Sequence, residues 1–518
     1  MRSFLLVVAI AAVLRCVVAS RQGLWADELF SLAVATGHSL EHPAAQADPA
    51  AGDFVEPADA VSPEAFRRYL MHDTPPASVA RVIRAVRLSD TSPPLYYLVL
   101  GAWTRLAGTS DFALHGLSVA WALATLPLVW LISLRVGTPR AGLIACLLFA
   151  LAPASLYYAV EARMYAMLWF ESALAAWLTL RLHDQGGAGT LVAWSITGAL
   201  GLTTHYFFAF GWGACVLWLL LRPGRCRRAH VVAAAVLTLL LIAPWYRVVP
   251  DTLSRWRVTG HWLDGRPSPG QLLLAPLALG WSFISGRGVW GGSMWADRGI
   301  ALVVLGLGLL WLRRGRAALL TPGRDLLWLL AIAACVGPVV FDLLRNTSTS
   351  LIARYALAGL PAAILLLALA LSELSERAAG IALALLILGW LPGLREIAVR
   401  RSRAWEPYRA VAHEVGAWAG PRDLILVHSI PSGVLGVARY LTARVPMAAW
   451  VGQLGRRRVP ADIEALLRGR TRVAVIRIHE VGEPAPEELW LRTHATLLRE
   501  HQREGADVLY FELGSTRR

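Results

Sequence analysis

Five short segments of this sequence place acidic, basic or imidazole side chains beside long apolar runs. Charged groups are costly at membrane depth, so such residues are functional candidates by default. A carboxylate can remove the proton from a hydroxyl group, and arginine can bind a phosphate and stabilise its charge as it leaves. The candidates are Asp27 and Glu28; Asp90 and Tyr96; Glu161, Arg163 and Tyr165; His205 and Tyr206; and Arg354 and Tyr355.

The elements that must position these residues are membrane helices. Of the 518 residues, 56% are hydrophobic and 16% charged, and the mean hydropathy is +0.51; soluble domains carry about 25% charged residues. Apolar runs of roughly 20 residues match the thickness of a bilayer core. The net charge of +15 comes from arginines in short stretches between those runs, which favours cytoplasmic loops over a nucleic-acid surface.

We predict about eleven transmembrane helices. With the N-terminus in the cytoplasm, the arginine-rich connections lie inside, in agreement with the positive-inside rule. Arg15 interrupts the first apolar run, so we expect an uncleaved helix there rather than a signal peptide. An odd helix count places the C-terminal tail outside. The predicted spans are 3–20, 112–135, 141–158, 162–182, 190–204, 205–221, 229–248, 299–313, 325–344, 351–371 and 378–394.

Two long loops, 21–111 and 249–298, are predicted outside together with the tail. The apolar stretch Leu95–Ala107 is too short to span and is expected to be an interfacial helix. A short helix near 63–72 is expected after Ser62. Tryptophans in the second loop indicate an interfacial belt or, alternatively, sugar stacking; they are Trp256, Trp262, Trp281, Trp290 and Trp295.

The tail, residues 395–518, alternates strand and helix signals. This alternation predicts a small α/β domain with a parallel sheet. No Gly-rich phosphate loop follows its strands, so we assign it no nucleotide. Strands are expected at 423–428, 472–478 and 507–513, and helices at 407–418, 460–467 and 487–502.

On this topology, all five polar segments meet the membrane at the outer face. A donor with a phosphate-linked sugar and a polyprenyl chain would present its head group there while its tail stays in lipid. The arrangement therefore favours transfer of a sugar from such a lipid-linked donor.

Four motifs, in chain order, make the resemblance to a family specific. They are Trp25-Ala26-Asp27-Glu28, Asp90-Thr91-Ser92-Pro93-Pro94-Leu95-Tyr96-Tyr97, Glu161-Ala162-Arg163-Met164-Tyr165 and Thr204-His205-Tyr206-Phe207. The set resembles the bacterial protein-O-mannosyltransferase-like branch (family 39 type) of the GT-C glycosyltransferases. The resemblance covers roughly residues 20–220 and continues loosely through Arg354-Tyr355 and Pro361.

The resemblance implies an α-helical polytopic enzyme that uses a polyprenyl-phosphate sugar, with a GT-C-like domain over 1–394. It implies that Asp27 is the catalytic carboxylate. Two stretches depart from the family pattern: Ala113-Leu114-His115-Gly116-Leu117-Ser118 lacks the usual arginine, and Ala159-Val160 replaces Ser-Gln. Both departures concern donor contacts rather than the base.

Simpler interpretations stay open for each candidate. Asp27 can be a solvated loop residue, and Glu28 can pair with Arg21 or orient Asp27. Asp90 can cap the following helix, and Glu161 and Arg163 can form an interfacial ion pair. His205 can be a satisfied interfacial histidine, and Arg354 a snorkelling anchor.

Competing functions are a transporter or flippase of lipid-linked sugars, a glycan ligase or polymerase, and a membrane-anchored sensor. A secondary transporter tends to show internal repeats and substrate groups near the bilayer midplane, and neither feature is evident. We expect a bacterial inner-membrane enzyme that acts on a protein, lipid or glycan, without nucleic acid. No cofactor is certain, although Asp27, Glu28 and Asp90 offer oxygen ligands for Mg²⁺ or Mn²⁺.

Overall fold

The computed structural model describes residues 2–289, 293–314, 320–399, 406–479 and 485–514. The predicted belt residue Trp290 lies outside these residues, and so does Arg316, one of the arginines in the connections that we predict to be cytoplasmic. The chain divides into two compact units. We call them the helical unit (1–20, 114–250 and 261–399) and the loop-and-tail unit (21–113, 251–260 and 400–518).

The helical unit is polytopic, as predicted. Seven described helices are long and apolar enough to cross a membrane: Arg2–Ala19, Asp111–Val136, Arg228–Tyr246, Met294–Arg313, Arg324–Arg345, Ala353–Ser372 and Glu376–Val399. The span Ala353–Ser372 begins with a 3₁₀ segment, Ala353–Gly359, and continues as the α-helix Leu360–Ser372. Further helices of this unit are Pro139–Leu151, Pro153–Tyr158, Tyr165–Gln185, Ala188–Thr204, Phe208–Leu221 and Pro269–Ser285. The short helix Val249–Ser254 begins in this unit and ends in the loop-and-tail unit.

The other four of the eleven predicted spans are also helical in the described structure, but they are interrupted, shorter or more charged than these seven helices. The stretch 141–158 is interrupted, Ala188–Thr204 and Phe208–Leu221 have 17 and 14 residues, and Tyr165–Gln185 carries several charged side chains. Helix Pro269–Ser285 lies within the predicted second outer loop, for which no helix was predicted.

Many leucine side chains of the helical unit are exposed on its surface, which is unfavourable in water. Leu240 is 65% exposed, Leu302 72% and Leu277 74%. Exposed apolar surface on this scale indicates contact with lipid or another apolar partner. The exposed faces therefore agree with the apolar spans in describing an integral membrane protein.

The interruption of the stretch 141–158 has a definite cause. Pro153 cannot donate a backbone hydrogen bond, so helix Pro139–Leu151 ends before it and leaves carbonyl groups without helical partners. The fully buried Arg15 supplies the missing donors: its guanidinium contacts the carbonyl oxygens of Phe149 at 2.9 Å and Ala150 at 3.1 Å, and Ser155 Oγ at 3.0 Å. An arginine inside the first helix thereby fixes the turn that leads to Glu161.

The loop-and-tail unit combines helices of the first loop with a sheet from the tail. Its loop helices are Ala26–Ala35, Pro63–Arg67, Val79–Ser89 and Leu95–Ala107, with 3₁₀ turns at Ala44–Gln46, Pro49–Ala51 and Arg68–Leu70. Helix Leu95–Ala107 packs closely on helix Ala26–Ala35 at Gly101. The absence of a side chain at Gly101 permits this contact, since a Cβ there would lie 2.6 Å from the Ala35 carbonyl oxygen.

The described tail contains five strands: β1 Leu424–His428, β2 Met447–Trp450, β3 Arg472–Ile478, β4 Thr496–Arg503 and β5 Ala506–Glu512. They form a mixed sheet in the order β2-β1-β3-β5-β4. Strands β1, β2 and β3 are parallel, with Leu426 opposite both Ala448 and Val475, whereas β5 is antiparallel to β3 and β4. The helices of the tail are Tyr408–Trp418, Pro431–Tyr440, Ala461–Leu467 and Pro486–His494.

The α/β class of the tail is confirmed, but the wholly parallel sheet is wrong. The predicted helix 487–502 ends at His494, and its second half forms β4. Gly505 adopts a positive φ of 79° between β4 and β5, so the chain turns back as a hairpin and the two strands pair antiparallel.

Candidate functional site

Asp27 occupies the first turn of helix Ala26–Ala35. Its side chain is half-buried, and its carbonyl oxygen accepts a hydrogen bond from Ser31 Oγ at 2.7 Å. Glu28, two per cent exposed, reaches back so that its Oε2 accepts the Trp25 backbone N–H at 3.1 Å. Negative side chains are favoured at a helix N-terminus by the helix dipole. Glu28 thus caps the helix whose first turn presents Asp27.

Asp90 is buried at the end of helix Val79–Ser89. Its Oδ1 accepts the Ser92 N–H at 3.0 Å, and its Oδ2 accepts the Tyr97 hydroxyl group. Helix Leu95–Ala107 starts after Pro94 without a side-chain cap. Asp90 therefore organises the Pro-Pro turn rather than capping the helix that follows. Tyr96 is fully buried, with its ring edge-on to Tyr97 at 5.8 Å.

A buried carboxylate close to Asp90, that of Glu41, is not among the predicted candidates. Glu41 accepts hydrogen bonds from the Thr259 N–H at 3.0 Å and the Thr259 hydroxyl at 2.6 Å. Burial raises the pKa of Glu41 to about 7, although the Thr259 hydrogen bonds oppose the shift. Arg257 donates to the Asp90 carbonyl oxygen at 3.2 Å. No local motif singles out these residues, because the second loop brings together partners that are 167 and 218 positions apart in the sequence.

A second group that the sequence did not indicate lies at the start of helix Ala26–Ala35. Glu406 accepts the Ala26 N–H, and its Oε1 lies 3.7 Å from Nδ1 of His479. Nε2 of His479 lies 2.6 Å from the Tyr408 hydroxyl. Burial, together with Glu406, raises the pKa of Tyr408 well above its ordinary value.

In the helical unit, the turn between Pro153–Tyr158 and Tyr165–Gln185 buries three predicted residues. Glu161, Arg163 and Tyr165 are at most 8% exposed, and the Arg163 N–H donates to the Glu161 carbonyl oxygen at 2.7 Å. Tyr165 meets the ring of Tyr158 at 5.1 Å and that of His205 at 6.4 Å. The turn is therefore a compact, aromatic-lined segment with one carboxylate and one guanidinium.

Two further predicted residues join this cluster through His205. The His205 ring lies 6.4 Å from Tyr355, and its Nδ1 accepts the Phe207 N–H at 3.2 Å. Arg354 stacks its guanidinium over Trp262 at 5.1 Å and over Tyr355 at 5.8 Å, and it lies within electrostatic range of Tyr158. Trp262, predicted as a belt residue or a sugar platform, is thus a partner of Arg354.

Tyr206 lies in a separate aromatic group. Its hydroxyl accepts the Trp245 ring N–H at 3.2 Å, and its ring meets Tyr246 edge-on at 5.8 Å. The predicted candidates are divided between the two units. Asp27, Glu28, Asp90 and Tyr96 belong to the loop-and-tail unit, and Glu161, Arg163, Tyr165, His205, Tyr206, Arg354 and Tyr355 to the helical unit.

The described residues contain no group of three or more His, Cys, Asp or Glu side chains placed to hold a metal ion. Asp27, Glu28 and Asp90, the oxygen ligands suggested for Mg²⁺ or Mn²⁺, do not form such a group. Glu28 instead uses a carboxylate oxygen to cap its own helix.

Comparison with known proteins supports the motif analysis. Residues 91–247 match the family model described as dolichyl-phosphate-mannose-protein mannosyltransferase. The match includes the cluster around Glu161 and begins after Asp27. No curated protein matches the chain.

Among solved structures, the chain is similar to ArnT from Cupriavidus metallidurans. The apo structure is 14% identical with a TM-score of 0.58, and the match covers 98% of this chain and 97% of that one. The structure of ArnT bound to undecaprenyl phosphate is 15% identical, with the same TM-score and coverage. The chain therefore has the ArnT fold, and the family match over 91–247 confirms its resemblance to the protein-O-mannosyltransferase-like GT-C glycosyltransferases.

Proposed function

We propose that this chain is a membrane glycosyltransferase that moves a sugar from a polyprenyl-phosphate donor to an acceptor hydroxyl group, with inversion at the anomeric carbon. The family match over 91–247 carries the proposal, since it covers the segment in which Glu161, Arg163, Tyr165 and His205 gather. ArnT, which shares the fold, has been solved with undecaprenyl phosphate bound. That structure supports a polyprenyl-phosphate donor here.

Donor recognition is assigned to the helical unit. Arg163 and Arg354 supply forked guanidinium groups, which match the oxygens of a phosphate better than a lysine ammonium does. Arg354 is held by stacking on Trp262 and Tyr355, so little rotamer freedom is lost when it binds. Positive charge at this position also stabilises the phosphate as it leaves.

Proton transfer is assigned to Asp27. The carboxylate of Asp27 takes the proton from the acceptor hydroxyl group, and the oxygen of that hydroxyl group forms a new bond to C1 of the sugar. The C1–O bond to the phosphate breaks on the opposite face, and its electron pair leaves with the polyprenyl phosphate. A single displacement of this kind inverts the configuration at C1. Glu28 supports the helix turn that presents the base.

The proposed setting is a bacterial inner membrane, with the first loop and the tail on the extracytoplasmic side. The acceptor belongs to a protein, a lipid or a glycan. A flippase of lipid-linked sugars and a glycan ligase or polymerase are the competing functions. A flippase would leave the donor bond intact, so donor cleavage distinguishes it from a transferase.

The test compares purified parent chain with Asp27→Asn and with the matched control Asp59→Asn, an exposed carboxylate of the same loop. Each is given a panel of labelled polyprenyl-phosphate sugars and acceptors. We expect Asp27→Asn to lower turnover by about 10²- to 10⁴-fold, the usual loss for a general base, while Asp59→Asn stays near parental turnover. A folded Asp27→Asn variant with near-parental turnover would show that the base lies elsewhere.

A further inference from the structure

The tail supplies contacts to the segment that leads into the helix of Asp27. The Leu24 N–H donates to the Tyr440 hydroxyl at 2.7 Å, and Arg409 donates to the Arg21 carbonyl oxygen at 3.2 Å. The Ala26 N–H donates to Glu406. All of these residues belong to the loop-and-tail unit. Three successive tail contacts thus fix the chain just before Asp27.

The contact with Glu406 meets a specific need. The first backbone N–H groups of a helix have no partner inside the helix and must find acceptors elsewhere. Glu28 accepts the Trp25 N–H from within the helix, whereas the Ala26 N–H is accepted by a carboxylate 380 positions away. Glu406 is only 4% exposed, so this hydrogen bond is shielded from water.

Glu406 is itself held by tail residues. Nδ1 of His479 lies 3.7 Å from Glu406 Oε1, and Nε2 lies 2.6 Å from the hydroxyl of Tyr408, which is 1% exposed. A buried carboxylate is costly unless it has partners of this kind. His479 sits directly after β3 with φ of 71°, a conformation that non-glycine residues seldom adopt. Unfavourable backbone geometry of this type tends to persist where it serves function.

We propose that Glu406, Tyr408 and His479 are positioning residues for Asp27, and that the tail therefore supports proton transfer by Asp27 rather than being an independent appended domain. Glu406 fixes the first helical N–H, and His479 and Tyr408 fix Glu406. The inference rests on the proposed function, because it assumes that Asp27 takes part in transfer.

The test uses the full chain and two readouts, namely hydrogen exchange of residues 24–30 and steady-state turnover of a labelled polyprenyl-phosphate sugar. Glu406→Ala should speed exchange in 24–30 and lower kcat about tenfold or more, with the donor KM near parental. Glu406→Gln keeps an oxygen that can accept the Ala26 N–H, so it should restore slow exchange and most of kcat.

His479→Gly separates a positioning role from a merely structural one. Glycine adopts a positive φ readily, so loss of the imidazole adds no backbone strain, and kcat should fall while the tail stays folded. Glu414→Gln is the matched control, because Glu414 lies on the same helix as Tyr408 but contacts His501, Arg503 and Tyr510. It should leave kcat near parental.

Parental kcat in both Glu406→Ala and His479→Gly would overturn the positioning role, whether or not exchange in 24–30 changes. Equal loss of kcat in Glu414→Gln would also overturn it, since general loosening of the tail would then suffice. If the parent chain cleaves no donor, the proposed function fails. Parental exchange in Glu406→Ala would instead reject the contact itself, independently of activity.

Discussion

At the residue scale, the two arginines assigned to the donor have different surroundings. Arg163 is buried in the tyrosine-rich turn after helix Pro153–Tyr158, whereas Arg354 is half-buried and stacked on two rings. Stacking on an aromatic face is a property that lysine reproduces poorly. The position of Arg354 therefore depends on its planar group as well as its charge.

If Arg163 and Arg354 bind the donor phosphate, replacement by lysine should weaken donor use although the charge is kept. Loss of one charged hydrogen bond costs about 1.5–3 kcal/mol, or roughly a 10- to 100-fold rise in donor KM. Steady-state kinetics of Arg163→Lys and Arg354→Lys checks this, with the exposed Arg181→Lys as the control. Unchanged donor dependence in both Arg163→Ala and Arg354→Ala would refute the assignment.

At the element scale, the start of helix Ala26–Ala35 is held by Glu28. Removal of such a cap costs about 1 kcal/mol, so Glu28→Ala should speed hydrogen exchange in the first turn and lower turnover moderately. Glu28→Gln keeps an accepting oxygen and should be milder than Asp27→Asn. A loss in Glu28→Gln as large as that in Asp27→Asn would mean that Glu28 has a chemical role beyond capping.

Helix Tyr408–Trp418 is tied to the sheet by a second carboxylate, Glu414. Burial acts to raise the pKa of Glu414, but hydrogen bonds from His501, Tyr510 and Arg503 outweigh it and lower the pKa to about 2. A carboxylate whose pKa is lowered by folding stabilises the fold at pH values above its ordinary pKa of 4.5. This stabilisation is lost as the pH falls from about 5 to 2.

We therefore expect Glu414→Gln to destabilise the tail at pH 7 by about 1–2 kcal/mol, allowing for solvent screening. The difference from the parent should shrink as the pH is lowered towards 2. Thermal unfolding of the tail in the full chain, followed across pH, measures both effects. A difference that does not vary with pH would contradict the role of the ionised carboxylate.

Prediction from sequence succeeded where an element is determined by its own residues. Helix Leu95–Ala107 and strand Arg472–Ile478 have the predicted bounds, because apolar patterning and flanking turns mark them locally. Strand β4 was predicted as a helix, since Thr496–Arg503 contains helix-favouring residues such as leucine, arginine and glutamine. Pairing with β5 overrides that preference.

The same distinction applies to the candidate site. The motifs around Asp27 and Arg163 are visible in short stretches of sequence, and the structure groups each with aromatic or capping partners. Glu406 and His479 could not be found in this way, because their partner Ala26 lies hundreds of positions away and no spacing links them. Only the folded chain shows that the tail contacts the first loop.

At the scale of the whole molecule, the topology remains a prediction that labelling can check. Ala50 and Glu504 are exposed, and each can be replaced singly by cysteine. Both engineered cysteines should react with a membrane-impermeant thiol reagent in cells whose outer membrane alone has been permeabilised. Native Cys226 lies in a predicted cytoplasmic loop and provides an internal control that should react only after the inner membrane is opened. Protection of either engineered site, or early labelling of Cys226, would refute the orientation.

The central claim is that the chain cleaves a lipid-linked donor and transfers its sugar in a single displacement. The most direct measurement follows a doubly labelled polyprenyl-phosphate sugar in vesicles that contain the purified chain and acceptors. We expect lipid phosphate to be released in amounts equal to the sugar transferred, with the anomeric configuration inverted in the product. Movement of intact donor across the bilayer without cleavage would contradict the transferase, and retention of configuration would contradict the single displacement.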